Sequence, residues 1–345
     1  MREMFRRFRY YLIILALPWL FFMFMLTYRI NYQITTPGNL TNISSYIEVA
    51  DEYEQENPIY SVYVMSFRNP TFFQFLIATL NDHHHVRQLT EREVADGIGD
   101  SEQFESGQVD RNTSIDASFI TSLEALGLPI EYEIEYIVRL YYHYIDIKAD
   151  QTLHIGDIIL SVNGNDDVMA ALGEASCDAY HSFLIERREG TTETLEIKRQ
   201  IRNSTCVFGL NVTEFYRITD AAVELITYDS LIGGPSGGLM QTLYIYNALS
   251  DVDLTSGIKI AGTGGINLDG SAISVGGIRE KVITAERKGV DVFFVPRNEN
   301  ITNDNYTIAT RTKADIGAEL TIIGVETFAD VIDYLLRVQA GDIDE

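Results

Sequence analysis

Apolar residues recur with a helical spacing in some segments of the chain and with a two-residue spacing in others. This pattern predicts both helices and strands. After the glycine-rich segment 233–238, apolar residues recur at three- and four-residue steps up to residue 249, and residues 278–288 carry one apolar stripe. That spacing is typical of helices with one buried face. Helices are therefore predicted from about residue 238 and over residues 278–288, together with residues 71–80, 114–126 and 328–338.

Strands are predicted where apolar, β-branched and aromatic residues alternate with polar ones. They cover residues 59–67, 194–201, 290–295 and 320–324, within a strand-rich region from 130 to 202. Residues 91–110 are acidic and contain glycine, so they are predicted to be a disordered or clipped loop. Helices alternate with strands in the last third of the chain, which favours an α+β or α/β domain there.

The N-terminal segment has the pattern of a membrane anchor. Four arginines, at positions 2, 6, 7 and 9, precede an uncharged run over residues 10–28 that only Pro18 and Thr27 interrupt. At ~1.5 Å per residue this run matches the ~30 Å apolar core of a bilayer. The arginines predict a single-pass cell-membrane protein with its N-terminus in the cytoplasm and the remainder extracytoplasmic. A cleaved signal peptide is the alternative, but no small-residue cleavage site follows the run.

Composition narrows the range of partners. The chain has 345 residues, with 26 basic and 50 acidic side chains and a formal net charge of −24. Such a surface repels nucleic acid, so no nucleic-acid partner is predicted. Cys177 and Cys206 are the only cysteines, and the sequence leaves open whether they pair.

Three consecutive histidines form the only cluster with a metal-ligating composition. They follow Asp82, at His83, His84 and His85. Adjacent side chains do not share a face, and no second cluster supplies further ligands at a recognisable spacing. A solvated loop is therefore predicted, with no metal site and no cofactor.

Candidate chemistry lies in a serine and a lysine of the glycine-rich segments. Ser236 stands in a tight turn before a predicted helix, where backbone N–H groups without helical partners can stabilise an oxyanion. Lys281 lies in the first turn of another predicted helix. The helix dipole and partial burial both favour its neutral amine, which can act as a base. A helix cap and an ordinary surface lysine are the alternatives.

Five ordered motifs resemble the proteolytic domain of Lon-type serine proteases, in particular the membrane-anchored PDZ-Lon endopeptidases of Gram-positive bacteria. They are residues 232–240 (IGGPSGGLM), 253–257 (DLTSG), 260–264 (IAGTG), 276–281 (GGIREK), and Val295 with Pro296 and Asn298. The resemblance implies that Ser236 is the nucleophile and Lys281 the general base, oriented by Thr263. Gly237 stands where the family usually has alanine and Gly265 where it has a bulkier residue, but neither change removes a reacting group.

A second resemblance concerns the middle of the chain. Residues 153–164 (LHIGDIILSVNG) resemble a signature of bacterial PDZ domains, in which a strand ends at an Asn-Gly turn. PDZ domains bind extended peptides at a sheet edge, although this chain has no clear carboxylate-binding loop. The domain could deliver substrate to the predicted proteolytic domain or only stabilise that domain.

The predicted fold class is α+β, with an N-terminal transmembrane helix, a PDZ-like β-rich domain and a Lon-type α/β proteolytic domain. The predicted boundaries are 1–31 for tail and anchor, 32–129 for an extracytoplasmic α/β region, 130–205 for the PDZ-like domain and 206–345 for the proteolytic domain.

The predicted function is that of an ATP-independent serine endopeptidase that cleaves peptides or exposed protein segments. No Gly-x-x-x-x-Gly-Lys-Ser/Thr phosphate loop occurs in the sequence. The predicted partners are a peptide or unfolded protein substrate, the membrane through the N-terminal helix, and other copies of the chain in a homo-oligomer. The alternatives are a noncatalytic peptide-binding scaffold and an enzyme that transfers acyl groups without hydrolysis.

Overall fold

The structure is a computed structural model that describes residues 2–50, 53 and 57–342. Its described helices are α1 (Arg2–Thr27), α2 (Phe72–Thr79), α3 (Glu91–Ala95), α4 (Asp100–Leu126), α5 (Val168–Glu174), α6 (Gly238–Leu249), α7 (Ile278–Arg287), α8 (Asn305–Ile316) and α9 (Phe328–Gln339), with a short 3-10 turn at Ile43–Ser45.

Four sheets are formed by the described strands. These are β1 (Tyr32–Asn42), β2 (Ile47–Val49), β3 (Tyr60–Arg68), β4 (His85–Gln88), β5 (Ile130–Tyr141), β6 (Asp146–Ile147), β7 (Ile158–Val162), β8 (Ala179–Glu186), β9 (Thr192–Arg202), β10 (Thr205–Val207), β11 (Leu210–Ala221), β12 (Leu225–Thr227), β13 (Ile260–Gly262), β14 (Gly265–Ile266), β15 (Ala272–Ile273), β16 (Val292–Pro296) and β17 (Thr321–Val325).

The first large sheet has the order β17-β16-β13-β3-β1-β4. Its strands β17, β16, β13 and β3 run parallel, while β1 pairs antiparallel with β3 and with β4. Helices cover both faces. Phe294 of β16 packs in the cluster with α4, α6 and α9, whereas its neighbour Phe293 packs in the cluster with α7 and α8. Successive side chains of a strand point to opposite faces, so the sheet is a buried layer between two layers of helices.

This layering corrects the predicted fold class. The prediction of an α+β fold with an N-terminal transmembrane helix is wrong, and the structure is an α/β fold. Parallel strands need crossover connections, and α7 and α8 supply them between β13, β16 and β17. The sequence pattern predicted α7, β16 and β17 but neither β13 nor α8, and it does not show which strands become neighbours.

The predicted membrane anchor is also corrected. Within the described part of the chain, no helix has both the length and the apolar character needed to cross a bilayer. The predicted run lies in α1, which begins at Arg2 and contains Pro18. The predictions of a single-pass anchor and of a cell-membrane localisation with an extracytoplasmic domain are therefore wrong.

Residues 91–110 are mostly helical instead of forming the predicted loop. They contain α3 and the first turns of α4, which begins at Asp100 and not near residue 114. Thr90 caps α3 through a capping box with Glu93. Gly107, which suggested a loop, lies inside α4 against the backbone of Gly233. This close approach requires glycine at position 233, where a Cβ would lie 2.9 Å from the carbonyl carbon of Gly107.

The remaining predicted elements are found within a few residues of their expected positions. The predicted helices at 71–80, 278–288 and 328–338 correspond to α2, α7 and α9. Thr327 and Asp330 form the predicted capping box at the start of α9. The four predicted strands correspond to β3, β9, β16 and β17.

The second large sheet has the order β10-β9-β8-β7-β5-β11, and β6 pairs with β9. Its strand β7 ends at Asn163 and Gly164, both with positive φ, as the predicted turn requires. Cys177 and Cys206 form a disulfide whose Cα atoms are 5.8 Å apart. Thus β10 is tied to the residues before β8.

The predicted domain boundaries stay predictions, although the topology bears on how they are drawn. In the first sheet β3 pairs with β13 and β1 pairs with β3. Strands from residues 32–68 therefore share a sheet with the C-terminal third of the chain. Strand β11, which follows the predicted boundary at 205/206, lies in the second sheet against β5.

Candidate active site

Ser236 lies in the turn that leads into α6, whose buried side packs in the first layered core. Gly237 is the N-cap residue, and the helix begins at the buried Gly238. A Cβ on Gly238 would lie 2.8 Å from Ser114 Oγ and 3.0 Å from the backbone nitrogen of Ile266, so only glycine fits there without a shift. The turn is therefore held against α4 and β14.

Two groups on α4 and α6 fix this turn further. The Ser114 hydroxyl lies 3.2 Å from both the Pro235 carbonyl and Gln241 Oε1. Ser118 Oγ donates to the Gly238 carbonyl at 3.0 Å. Sequence reasoning missed these positioning residues. The sequence feature that could have revealed them is a stripe of small residues on α4, from Gly107 through Ser114 to Ser118. Such a stripe allows two helices to pack closely.

Lys281 lies on α7 and is 2% exposed. Gly277, with a φ of 71°, is the N-cap residue of that helix. Burial removes water from the ammonium group and lowers the pKa of Lys281 to about 7. Near neutral pH a substantial fraction of this side chain is a free amine, which can accept a proton.

Thr263 connects the lysine to the serine turn. It directly follows β13 and is fully buried. Lys281 Nζ donates to Thr263 Oγ1 at 2.8 Å, and that hydroxyl donates to the Ser236 carbonyl at 3.0 Å. The backbone N–H of Gly264 donates to the same carbonyl at 2.9 Å. Because the only hydroxyl proton of Thr263 is committed to Ser236, the amine must be the donor, which leaves its lone pair free.

The structure therefore brings the three predicted site residues together, although one expected contact is missing. Within the part of the chain that the structure describes, the Ser236 hydroxyl has no hydrogen bond to Lys281 Nζ. Ser236 is half-buried. The backbone N–H groups of Ser236 and Gly237 donate to no described residue, so both are available to an oxygen placed beside the serine.

A narrow pocket opens beside Ser236. Its cavity of about 20 Å³ is comparable to the space that one water molecule needs. Arg111 of α4 lines it, is 6% exposed, and donates to the Tyr228 carbonyl at 2.9 Å. Its guanidinium also lies over the Tyr46 ring, 5.0 Å from the centroid. Sequence reasoning missed Arg111 because it placed the helix start after this position.

One buried and one half-buried carboxyl group lie on the helices of the site. Glu280 precedes Lys281, is 3% exposed, and its Oε1 has no hydrogen-bond partner among the described residues. Asp116 lies on α4, where burial raises its pKa to about 7. The three consecutive histidines lie elsewhere, between α2 and the start of β4. No group of metal-ligating side chains suited to hold an ion occurs in the described residues.

Comparison with known proteins points to the same part of the chain. Residues 209–338, which include Ser236, Thr263 and Lys281, match the family model of the Lon protease (S16) C-terminal proteolytic domain. The segment is thus similar to a proteolytic domain of serine peptidases. This confirms the Lon part of the predicted resemblance, while the PDZ part has no support from these comparisons.

Similar full-length proteins are much longer than this chain. The Lon protease of Malacoplasma penetrans is 34% identical over 137 residues, which is 40% of this chain and 16% of that protein. The Lon protease of Campylobacter concisus is 35% identical over 127 residues, which is 37% of this chain and 15% of that protein. The Lon protease of Clostridium beijerinckii is 32% identical over 111 residues, or 32% of this chain and 13% of that protein. The chain spans less than a fifth of these relatives.

Proposed function

We propose that this chain is a serine endopeptidase in which Ser236 is the nucleophile and Lys281 the general base. One observation carries the proposal: a fully desolvated lysine with a pKa near 7 is hydrogen-bonded to a threonine that also holds the backbone of the serine turn. A surface lysine would remain protonated at neutral pH and could not take the proton of a serine hydroxyl. The match of residues 209–338 to a proteolytic domain supports the same conclusion.

The reaction proceeds through an acyl-enzyme. The neutral amine of Lys281 takes the proton from Ser236 Oγ as that oxygen attacks the carbonyl carbon of the scissile peptide bond. The resulting ammonium then gives the proton to the departing amine. In the second half of the reaction, Lys281 takes a proton from water as the water oxygen attacks the ester carbonyl of the acyl-enzyme. The bond to Ser236 Oγ then breaks, Lys281 returns the proton to that oxygen, and the carboxylic acid product leaves.

Thr263 and the start of α6 position the reacting groups. The hydrogen bond from Lys281 Nζ to Thr263 Oγ1 fixes the amine, so its lone pair has one preferred direction. Substrate binding is proposed to bring the Ser236 hydroxyl to the amine, since catalytic hydrogen bonds often tighten only when substrate is bound. The free N–H groups of Ser236 and Gly237 supply the oxyanion site.

Substrates are proposed to be peptides or already exposed protein segments, cleaved without ATP. The sequence contains no phosphate loop of the Walker type. The second sheet is proposed to be a PDZ-like domain, in keeping with the Asn163-Gly164 turn that ends β7. Assembly into a homo-oligomer is proposed from the resemblance to Lon-type domains.

The proposal is tested by incubating the full chain with a diverse peptide mixture, without ATP, and identifying the products by mass spectrometry. Ser236→Ala and Lys281→Ala variants are the controls. Internal cuts that both substitutions abolish are expected. If folded wild-type protein binds peptides but never cuts them, the chain is a peptide-binding scaffold. Ligated products in place of trimmed ones indicate acyl transfer without hydrolysis.

A further inference from the structure

We propose a distal substrate subsite, which rests on the proposed function: an apolar pocket between α2 and β3 that receives a large apolar side chain about five residues from the scissile bond. The ligand is an extended peptide segment carrying an aromatic or branched aliphatic residue at that position. The pocket is formed by residues outside the segment that matches the proteolytic domain.

Three adjoining cavities lead from Ser236 to this subsite. The narrow pocket beside Ser236 and an open groove of about 630 Å³ share Gly233 and Gly234 as a common wall. The groove in turn shares Phe67, Pro70 and Gln74 with an apolar pocket of about 180 Å³. The three cavities are therefore neighbours, in the order in which the proposed peptide would pass them.

Strand β3 gives the length of that path. Ser61 and Tyr63 line the narrow pocket and lie on the same face of β3 as Phe67, which lines both the groove and the distal pocket. A strand rises ~3.3 Å per residue, so the separation along β3 is about 13–20 Å. An extended peptide that runs beside the strand spans this distance with about four to six residues.

Exposed apolar side chains stand along the path among polar ones such as Arg68, Asp100 and Gln103. Tyr63, Met65 and Phe67 alternate along β3 on the face turned away from α7, since Val64 of the other face contacts the start of that helix. Met65 is 45% exposed and Phe67 49% exposed. Across the groove, Phe104 of α4 is 47% exposed. Exposed apolar residues grouped along a groove mark a binding site more often than single ones do.

The distal pocket has the size and lining for one apolar side chain. Ile34, Ile77 and Ala78 lie in its wall beside Phe67 and Pro70. Its volume of about 180 Å³ exceeds the ~150 Å³ of a protein cavity that accommodates benzene. An aromatic ring or a leucine side chain therefore fits, whereas alanine would leave most of the pocket unfilled.

The kinetic test begins with a peptide that the wild-type chain cleaves. The residue about five positions from the cut, on either side, is replaced in turn by Phe and by Ala, and kcat/KM is measured for each pair. We expect the Phe peptide to be favoured by about tenfold or more on one side of the cut. Phe67→Ala should reduce this ratio to near one, and Phe67→Leu should restore part of it.

A matched control separates the subsite from general surface effects. Leu336→Ala changes an apolar side chain of 47% exposure on α9, outside the groove, and should leave the ratio unchanged. A ratio near one in the wild type, with cleavage that still depends on Ser236, overturns the subsite and leaves the proposed function standing.

If the wild type cleaves no peptide, the proposed function is refuted. A second measurement then tests the subsite by binding alone. The full chain is photo-crosslinked to twelve-residue Ala/Ser peptides that carry one benzoylphenylalanine, and the attachment site is mapped by mass spectrometry. Attachment at the walls of the distal pocket, lost with Phe67→Ala, supports the subsite. Attachment elsewhere, or none, overturns it.

Discussion

Replacing Lys281 by methionine should make the protein more stable while removing the proposed base. The lysine is 2% exposed, and burial lowers its pKa from the usual value near 10.4 to about 7. Methionine has a similar length and no charge to desolvate. Thr263 keeps its own hydrogen bond to the Ser236 carbonyl in the variant, so the turn should be preserved.

The magnitude follows from the difference between the folded and unfolded pKa values of Lys281. Between pH 7 and about 10.4 the unfolded chain binds more protons than the folded one, so the stability of the wild type rises with pH across this window. Below pH 7 both states are protonated and the cost of burying the charge is fully present. That cost is about 4 kcal/mol at pH 7, ~3 kcal/mol at pH 8 and ~1 kcal/mol at pH 10.

The assay is denaturant unfolding of the wild type and the Lys281→Met variant at several pH values. The variant should have the higher free energy of unfolding at pH 7, and its advantage should shrink towards pH 10. An advantage that does not change with pH would show that packing, not charge burial, separates the two proteins. A variant less stable than the wild type at pH 7 would refute a desolvated lysine.

Three further outcomes are expected. Thr263→Val removes the acceptor for the Lys281 amine and should lower kcat/KM on a cleaved peptide by about 10- to 100-fold, the value of one to two strong hydrogen bonds, whereas Thr263→Ser should retain most activity. Gly238→Ala should lower the free energy of unfolding, measured in urea, by about 1–3 kcal/mol, because the new Cβ would clash with the Ile266 backbone and Ser114. In the control Gly237→Ala the new Cβ contacts only the flexible Gln241 side chain, so the loss should be less than ~1 kcal/mol. Reduction of the disulfide, which closes a loop of 29 residues, should lower the unfolding free energy by ~3–4 kcal/mol, measured with and without dithiothreitol.

Elements with strong local signals were predictable from the sequence. Thr71 and Thr327 each form a capping box with the residue three positions later. The starts of α2 and α9 are therefore specified by a few adjacent residues. The segments around Ser236 and Lys281 are short and glycine-rich, and they could be recognised without knowing the fold.

Features that depend on tertiary packing were not predictable. Residues 100–113 have the acidic and glycine content of a loop, yet they form a helix because α4 packs on α6 and because Gly233 lets the backbone at Gly107 come close. The pairing of β3 with β13 joins residues about 200 positions apart, which no local pattern shows. Arg111 lies on α4, so its place in the lining of the pocket beside Ser236 follows from the packing of that helix.

The prediction at the N-terminus is wrong. The length and apolar character of residues 10–28 predict an anchor, but among the described residues no helix is long and apolar enough to cross a membrane.

The most direct test of the proposed dyad is the rate at which a fluorophosphonate labels the full chain, measured from pH 5 to pH 9, with the labelled residue identified by mass spectrometry. The label should be on Ser236, and the rate should rise with pH through about 7 as the Lys281 amine becomes neutral. In the folded Lys281→Met variant the label should be almost absent at every pH. Labelling of another residue, or labelling of Ser236 at an equal rate in the variant, would contradict a Ser236–Lys281 dyad.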